Sequence, residues 1–154
     1  MSTGDILKQT HIRLILDLQA ISQGRTSVSA AFEEILRIFE YHLEREEYTT
    51  YPLLNFLLQR SKDGEIINVD CVVRAWEGFN AEYEQMLSEH QQLISLLNKA
   101  EEFPGFRHNA FARDLVDEIR THIALEEQVL FPAVMAAGEL ISPTFLLNSA
   151  SQKF

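Results

Sequence analysis

The sequence predicts an all-α protein that folds as an antiparallel up-down-up-down four-helix bundle with a short C-terminal tail. Three observations predict this class. Apolar residues recur at helical spacing in four long segments, no segment alternates like a strand, and the breaks between segments are short. At 154 residues, 46% of them hydrophobic, the chain is long enough to bury a core, so residues 1–154 are expected to form one domain.

The first helix is predicted over residues 5–22 and the second over residues 27–60. Thr26 or Ser27 can cap the second helix. Pro52 lacks an amide hydrogen, so it is expected to kink or interrupt this helix before the chain continues in helical register to residue 60. The core-facing side of each helix is marked by apolar residues at helical spacing: Leu7, Leu14 and Leu18, then Val28, Phe32, Ile35 and Phe39.

The third helix is predicted over residues 70–102 and the fourth over residues 108–137, with a kink near Pro132 and an end at Gly138. The tail, residues 139–154, is expected to pack on the bundle, with a homodimer contact as the alternative. Apolar side chains again mark one side of each helix: Trp76, Phe79, Tyr83, Met86, Leu93 and Leu97, then Phe111, Leu115, Ile119, Leu125 and Val129.

Charge and composition restrict the partners and the compartment. Thirteen basic and 23 acidic side chains give a net charge of −10, which repels phosphate backbones and anionic lipid, so neither nucleic acid nor membrane is an expected partner. The N-terminus lacks the pattern of a secretory signal, and no apolar run approaches a membrane span. We therefore expect a soluble, cytoplasmic protein. Cys71 is expected to be a small buried residue.

One phrase occurs twice, from His42 to Pro52 and from His122 to Pro132, and each copy reads His, three residues, Glu-Glu, three residues, aromatic, Pro. A His and a Glu four apart on a helix project from the same face, about 6 Å from each other. That spacing suits two side chains that bind one metal centre. The repeat therefore predicts a metal site.

Two further histidines extend the repeat, because His11 lies 31 residues before His42 and His90 lies 32 residues before His122. Each half is then a matched hairpin: the chain runs roughly 20 Å down one helix and roughly 22 Å back up the next. All four imidazoles are expected on core-facing stripes and in one layer. The predicted metal ligands are therefore His11, His42, Glu46, His90, His122 and Glu126.

A metal explains this set, because an unpaired carboxylate in a bundle core costs several kcal/mol and coordination to a cation offsets that cost. The alternative for each histidine is a hydrogen-bonded core residue. Glu47 and Glu127 are rotated about 100° from their neighbours, so they are expected to face solvent or an outer position. His108 is expected at the surface or in a cap. Tyr51 and Phe131 are expected to pack, with Tyr51 also able to donate a hydrogen bond toward the centre.

These motifs and their partner histidines resemble the hemerythrin-like, or HHE cation-binding, family over nearly the whole chain. The resemblance implies a four-helix bundle around a non-haem di-iron centre. It further implies four terminal histidine ligands, two bridging glutamates, Glu46 and Glu126, and two Fe ions that are oxo- and carboxylate-bridged. A ferritin-like site is disfavoured, because its Glu-x-x-His signature does not occur here.

Two departures separate the chain from the oxygen-carrying hemerythrins. Their third helix supplies two histidines four apart, whereas Ile94 follows His90 here. They also take the last carboxylate five residues after the helix-four histidine, which would be Glu127, whereas the internal duplication favours Glu126. The ligand set looks more like that of the iron-sulfur-cluster repair branch. Members of that branch often carry an extra short N-terminal domain with a cysteine, and no such domain is among these residues.

The function expected from the resemblance is a di-iron protein that binds O2, NO or peroxide, in nitrosative or oxidative stress defence or in iron-sulfur cluster repair. Four imidazoles, two bridging carboxylates and one oxo bridge leave roughly one open position per iron. Whether the centre turns its ligand over as an enzyme, with an unidentified electron donor, stays open. The alternatives are a sensor or carrier without turnover and a metal-free helical interaction module. The same ligands accept manganese or zinc.

Overall fold

The computed structural model describes residues 3–60 and 69–141. Within these ranges all regular structure is helical and no strand occurs, which confirms the all-α class and the four-helix bundle. The fourth helix is divided into two α-helices by a π-helical turn, and a short 3-10 helix precedes it. The helices are α1 Thr3–Ser22, α2 Ser27–Arg60, α3 Val69–Glu101, the 3-10 helix Phe106–His108, α4 Ala110–Leu125, the π turn Glu126–Leu130 and α5 Phe131–Ile141.

Neighbouring helices run antiparallel around a ring in which α1 contacts α2 and α4, while α3 contacts α2, α4 and α5. In each neighbouring pair, a residue early in one helix lies beside a residue late in the other. Pairs that show this are Gly4 and Asn55, Thr49 and Gly78, Trp76 and Gly138, and Asn98 and Arg120. The chain therefore crosses the length of the bundle four times, and each pass runs in the direction opposite to the one before it.

The buried apolar side chains form two clusters, one toward each end of the bundle. The first cluster includes Leu14, Leu18, Phe32, Phe39, Leu93, Leu97, Leu115 and Ile119. The second includes Tyr51, Leu53, Phe79, Met86, Phe131 and Val134. Between them, at the same level on every helix, lie buried histidine and glutamate side chains. The bundle thus has two hydrophobic cores separated by a polar layer.

Capping side chains set where α2 and α4 begin. The Thr26 hydroxyl accepts a hydrogen bond from the backbone N–H of Ser29 at 3.2 Å, so Thr26 caps α2. Asn109 accepts one from the N–H of Ala112 at 3.0 Å and caps α4. Pro52 lies inside α2, which continues through it to Arg60 without interruption.

The predicted end of the fourth helix at Gly138 is wrong, because α5 continues to Ile141. Gly138 has a different role there. A Cβ atom at this position would overlap the indole ring of Trp76, so only glycine allows α5 to approach α3 this closely. Gly138 therefore indicates close packing of α5 against Trp76, and it does not end the helix.

Some side chains assigned to core stripes are exposed. Phe111, Leu125 and Val129 face solvent, the last with 53% of its surface accessible. In the fourth helix the buried positions recur three or four residues apart through Ile119, His122 and Glu126, and the exposed residues are rotated away from that line. The expectation that Cys71 is buried is also wrong: it is exposed in the first turn of α3, while Val72 next to it is buried.

Of the predicted tail, residues 139–154, the structure describes only residues 139–141, which belong to α5, and Ile141 is buried there. The predicted packing of residues 142–154 and the dimer alternative lie outside the described residues. None of the described helices combines the length and the apolarity that a bilayer crossing requires.

Candidate metal centre

The structure brings together the six side chains that the sequence analysis proposed as metal ligands. One comes from α1, two from α2, one from α3 and one from α4, and the sixth is the first residue of the π turn. All are buried, with at most 6% of their surface accessible: His11, His42, Glu46, His90, His122 and Glu126. They form the polar layer between the two cores.

Glu126 lies at the middle of this layer, and its two oxygens face opposite pairs of imidazoles. Its Oε1 is 2.5 Å from Nε2 of His122 and 3.7 Å from Nε2 of His11. Its Oε2 is 2.9 Å from Nε2 of His90 and 3.3 Å from Nε2 of His42. One carboxylate therefore contacts all four rings through the same type of ring nitrogen.

Glu46 divides its oxygens in the same way. Its Oε2 is 3.6 Å from Nε2 of His11, and its Oε1 is 3.7 Å from Nε2 of His42. Both oxygens are fully buried, and neither has a hydrogen-bond partner within the described residues. Because an uncompensated buried carboxylate costs several kcal/mol, these orphaned oxygens fit a site that is completed by a cation.

Two groups of ligand atoms are compact enough to hold an ion each, with all atoms of a group within 4.8 Å of one another. The first consists of His11, Glu46, His122 and Glu126, and the second of His42, His90 and Glu126. Imidazole nitrogen with carboxylate oxygen is a donor set that suits iron, manganese and zinc. The cluster can therefore hold a metal, and Glu126 is common to both groups.

Comparison with protein families identifies this arrangement. The hemerythrin HHE cation binding domain matches residues 4–134, a span that contains all six side chains. The chain belongs to the hemerythrin HHE family. Searches of curated proteins and of solved structures found no match. Membership in a cation-binding family agrees with a cluster that is able to hold a metal, and the assignment to the iron-sulfur-cluster repair branch stays a prediction.

Outer contacts orient three of the four imidazoles of this hemerythrin domain. Nδ1 of His42 is 3.1 Å from Oε2 of Glu89, and Nδ1 of His90 is 2.8 Å from Oε1 of Glu127. Nδ1 of His11 is hydrogen-bonded to the hydroxyl of Tyr51. With Nδ1 contacted from outside, each ring presents Nε2 to the centre, and a proton on Nδ1 would leave Nε2 free to bind a metal.

Sequence reasoning missed Glu89 and its partner Arg45. Glu89 is buried and accepts hydrogen bonds from Arg45 Nη1 and, at 3.2 Å, from Gln85 Nε2. A signal was available, because Glu89 lies three residues after Met86 and four before Leu93 on the core-facing side of α3. A carboxylate at such a position needs a partner, and here it has three, including the ring of His42.

The remaining residues that the repeat singled out take outer positions. Glu47 is exposed, and Glu127, with 43% of its side chain accessible, reaches back to His90. The ring of Phe131 stacks on His90 with centroids 5.5 Å apart, whereas Tyr51, at the same place in the other copy, bonds to His11. His108 is exposed at the end of the 3-10 helix, consistent with a surface role.

The two copies of the phrase differ in backbone conformation. In α2 the phrase is α-helical throughout, but in the fourth helix it opens into the π turn, where the N–H of Phe131 bonds to the carbonyl of Glu126. The expected kink near Pro132 is thus a wider turn immediately before it. A proline cannot donate to the preceding turn, and an i to i+5 turn accommodates the missing bond. The bulge begins at the central carboxylate.

The two buried carboxylates have opposite pKa shifts. Burial, reinforced by the nearby charge of Glu126, raises the pKa of Glu46 well above its usual range. Burial also acts to raise the pKa of Glu126, but the close approach of the four imidazoles outweighs it and holds that pKa well below the usual range. Without a cation these directions favour a proton on Glu46 and a negative charge on Glu126, and a cation bound by both carboxylates would compete with that proton.

Three clefts between helices reach the imidazoles. The α1/α2 cleft, of about 340 Å³, reaches His11, and the α1/α4 cleft, of about 320 Å³, reaches His122. The α3/α4 cleft, of about 390 Å³, reaches His90. The layer is therefore buried but lies close to solvent-connected space on three sides.

Proposed function

We propose that this hemerythrin domain holds two iron ions bridged by Glu46 and Glu126, and that it binds O2, NO or peroxide there. The observation that carries the proposal is the division of oxygens: each glutamate directs one oxygen toward the His11 side of the layer and the other toward the His42 side. A carboxylate placed in this way suits a bridge between two ions, because a single ion on one side would leave the oxygen on the other side without a metal. The bound iron would supply Lewis acidity and one-electron redox chemistry.

Ligand count supports exchangeable positions at both ions. With both glutamates bridging, each iron receives two imidazole nitrogens and two carboxylate oxygens from this chain. Iron commonly takes six ligands, so about two positions per ion remain for a solvent-derived bridge and an external ligand. An arrangement with one saturated ion would suit reversible carriage, whereas open positions on both favour ligand reduction.

The α1/α2 cleft favours neutral ligands. The α1/α2 cleft is lined by apolar side chains between His11 and the surface, and Glu40, Glu44 and Glu47 also line it. Carboxylates there, in a chain of net charge −10, disfavour anions such as nitrite and leave uncharged diatomics and hydrogen peroxide unaffected. This selection is the reason for naming O2, NO and peroxide as the ligand class.

The role we assign to ligand binding is defence against nitrosative or oxidative stress, including iron supply for iron-sulfur cluster repair. A redox cycle of this kind needs an electron donor from outside the chain. A sensor or carrier would bind the same ligands without consuming them. The two functions share one site and differ only in turnover.

The metal proposal is tested by iron analysis and visible absorption after anaerobic Fe(II) loading and exposure to air. Wild-type protein is expected to retain about two irons per chain and to develop the visible bands of an oxo-bridged pair. E126A is expected to lose both irons, since Glu126 serves both groups. H108A is the matched control, because His108 is an exposed imidazole away from the layer. Equal iron in E126A and H108A would overturn the proposal.

Turnover is tested separately on the loaded protein in the presence of an excess of a chemical reductant, which replaces the unidentified electron donor. Catalytic loss of NO or hydrogen peroxide, followed with an electrode over many equivalents, supports the stress-defence role. Stable ligand binding that reverses without consumption contradicts that role and leaves the sensor or carrier. The assay includes E126A protein, so that any consumption by free iron is subtracted.

A further inference from the structure

With both glutamates bridging, as proposed, the two sides of the layer have the same inner donors, although only the His11 and His122 group includes Glu46 in its compact arrangement. The groups behind the imidazoles differ as well. Resting on the proposed function, each ion has two imidazoles and shares both glutamates. On one side the imidazoles are His42 and His90, and on the other they are His11 and His122. With these inner donors on each side, the contacts on the far side of each ring are a further source of difference between the two positions.

On the His42 side both rings have an anionic partner. Glu89 contacts Nδ1 of His42 at 3.1 Å, and Glu127 contacts Nδ1 of His90 at 2.8 Å. On the other side the partner of His11 is the neutral hydroxyl of Tyr51. Among the described residues, no carboxylate lies within 4 Å of Nδ1 of His122. The imidazoles on the His42 side are therefore contacted from outside by two carboxylates, and those on the His11 side by one phenol hydroxyl.

The repeat shows how the difference arises. Glu47 and Glu127 occupy the same place in the two copies of the phrase, but only Glu127, at the π turn, reaches the histidine of the neighbouring helix. Tyr51 and Phe131 are also counterparts, and only the tyrosine can hydrogen-bond to a ring nitrogen. The two sides of a nearly twofold-symmetric centre thus differ in their outer contacts, because the members of the pairs Glu47/Glu127 and Tyr51/Phe131 make different contacts.

A carboxylate that accepts the Nδ1 proton makes the imidazole a stronger donor at Nε2 and holds its orientation. We propose that Glu127 and Glu89 make the His42/His90 position the tighter metal position, which fills first and exchanges last. The His11/His122 position then fills second and releases its ion first. Both glutamates act through the histidines as positioning residues.

Glu127 is the better residue to test. The charge of Glu89 is compensated by Arg45, whose guanidinium contacts it directly. Glu127 has no arginine or lysine within 4 Å among the described residues, so its charge acts on His90 alone. It is also 43% exposed, so a glutamine there should be accepted without disturbing the fold. E127Q keeps an acceptor for the Nδ1 proton and removes only the charge.

The first test locates the first ion in the unaltered protein. Apo-protein is titrated with Zn(II), a diamagnetic ion that the same donors accept, and the ring nitrogens are followed by NMR. At one equivalent the Nε2 signals of His42 and His90 are expected to shift to bound values before those of His11 and His122. If the His11 and His122 signals shift first, or all four move together, the inference is overturned. A protein that binds no zinc contradicts the proposed function as well.

The second test compares E127Q with E47Q, the same change at the repeat counterpart. Chelator competition gives the two dissociation constants for Zn(II). In E127Q the tighter constant is expected to weaken about 10- to 100-fold, with the weaker one nearly unchanged. In E47Q both should stay at wild-type values. Equal constants in the two variants overturn the role of Glu127 while leaving the two-metal proposal intact.

Discussion

The hydroxyl of Tyr51 is hydrogen-bonded to Nδ1 of His11, so a residue of the second helix fixes the ring of the first. Burial is the main cause that raises the pKa of Tyr51, and the negative charge of Glu126 acts in the same direction, so the phenol stays protonated throughout the physiological range. This contact joins the polar layer to the second hydrophobic core, to which Tyr51 belongs.

Removing that hydroxyl with Y51F is expected to lower the free energy of unfolding of the apo-protein by about 1 kcal/mol, since one buried hydrogen bond is lost while the ring is kept. Urea unfolding measures the change. Y48F is the control, because Tyr48 is 71% exposed, and it should stay within about 0.5 kcal/mol of wild type. Equal effects of the two variants would show that the Tyr51 contact contributes nothing.

Arg45 is expected to stabilise the fold by pairing with the buried carboxylate of Glu89. R45M leaves that carboxylate short of a partner and should cost about 1–3 kcal/mol, the lower part of the range for a broken buried pair because Arg45 is 31% exposed. R37M removes an arginine whose contact with Glu34 is largely exposed, so its expected cost is about zero. Chemical unfolding of the two apo-variants in the same buffer measures the loss in free energy of unfolding, and similar losses in the two variants would refute the special role of Arg45.

Glu46 should make the apo-protein less stable as the pH rises. Its pKa in the folded state is raised above the ordinary value of 4.5 by burial, so between those two values the folded state binds more protons than the unfolded state. Stability therefore falls as pH increases through that window. E46Q has no such proton, so its stability relative to wild type should improve steadily from pH 5 to pH 7.

The pH series is measured by urea unfolding in the presence of a chelator. E47Q serves as the control, because Glu47 is exposed and its removal should leave the pH dependence of wild type unchanged. A difference between E46Q and wild type that does not vary with pH would mean that Glu46 is already ionised in the folded apo-protein.

Gly138 is expected to be intolerant of even a methyl group. In G138A the new Cβ would overlap the ring of Trp76, and overpacking of this kind costs about 1–3 kcal/mol. Up to about 1 kcal/mol of that cost is offset by the higher helix propensity of alanine. G105A is the comparison, because its Cβ would meet Val28 at an ordinary 3.4 Å. Thermal unfolding that ranks G105A below G138A would contradict this account.

The sequence predicted the fold and the convergence of the six side chains because both depend on spacing. A helix has a fixed rise, so His11 and His42 can be brought level by counting residues from the intervening break. The π turn could not be predicted, since the same phrase is α-helical around Pro52 and widened before Pro132. Cys71 and Val129 were misplaced because burial depends on which neighbouring helix covers a position, and spacing along one helix does not reveal that.

Glu89 was missed for a related reason. Its role depends on contacts across helices, to His42 and Arg45, which lie 47 and 44 residues away in sequence. The duplication directed attention to residues that occur twice, whereas the outer contacts differ between the two copies. The repeat therefore identifies the inner residues that the two halves share. The proposed difference in metal affinity between the halves comes from outer contacts that the two halves do not share.

The position of the polar layer between the two hydrophobic cores has a consequence for cooperative unfolding. Each core can hold its own end of the bundle, and the ends are joined through buried polar side chains, among which both oxygens of Glu46 lack a hydrogen-bond partner in the described part of the chain and would be compensated by a bound cation. We expect the metal-loaded protein to melt as a single unit and the apo-protein to open at one end before the other. Metal occupancy would then determine whether a protease meets a closed bundle or a half-open one, which gives the cell a means of removing copies that have lost their metal.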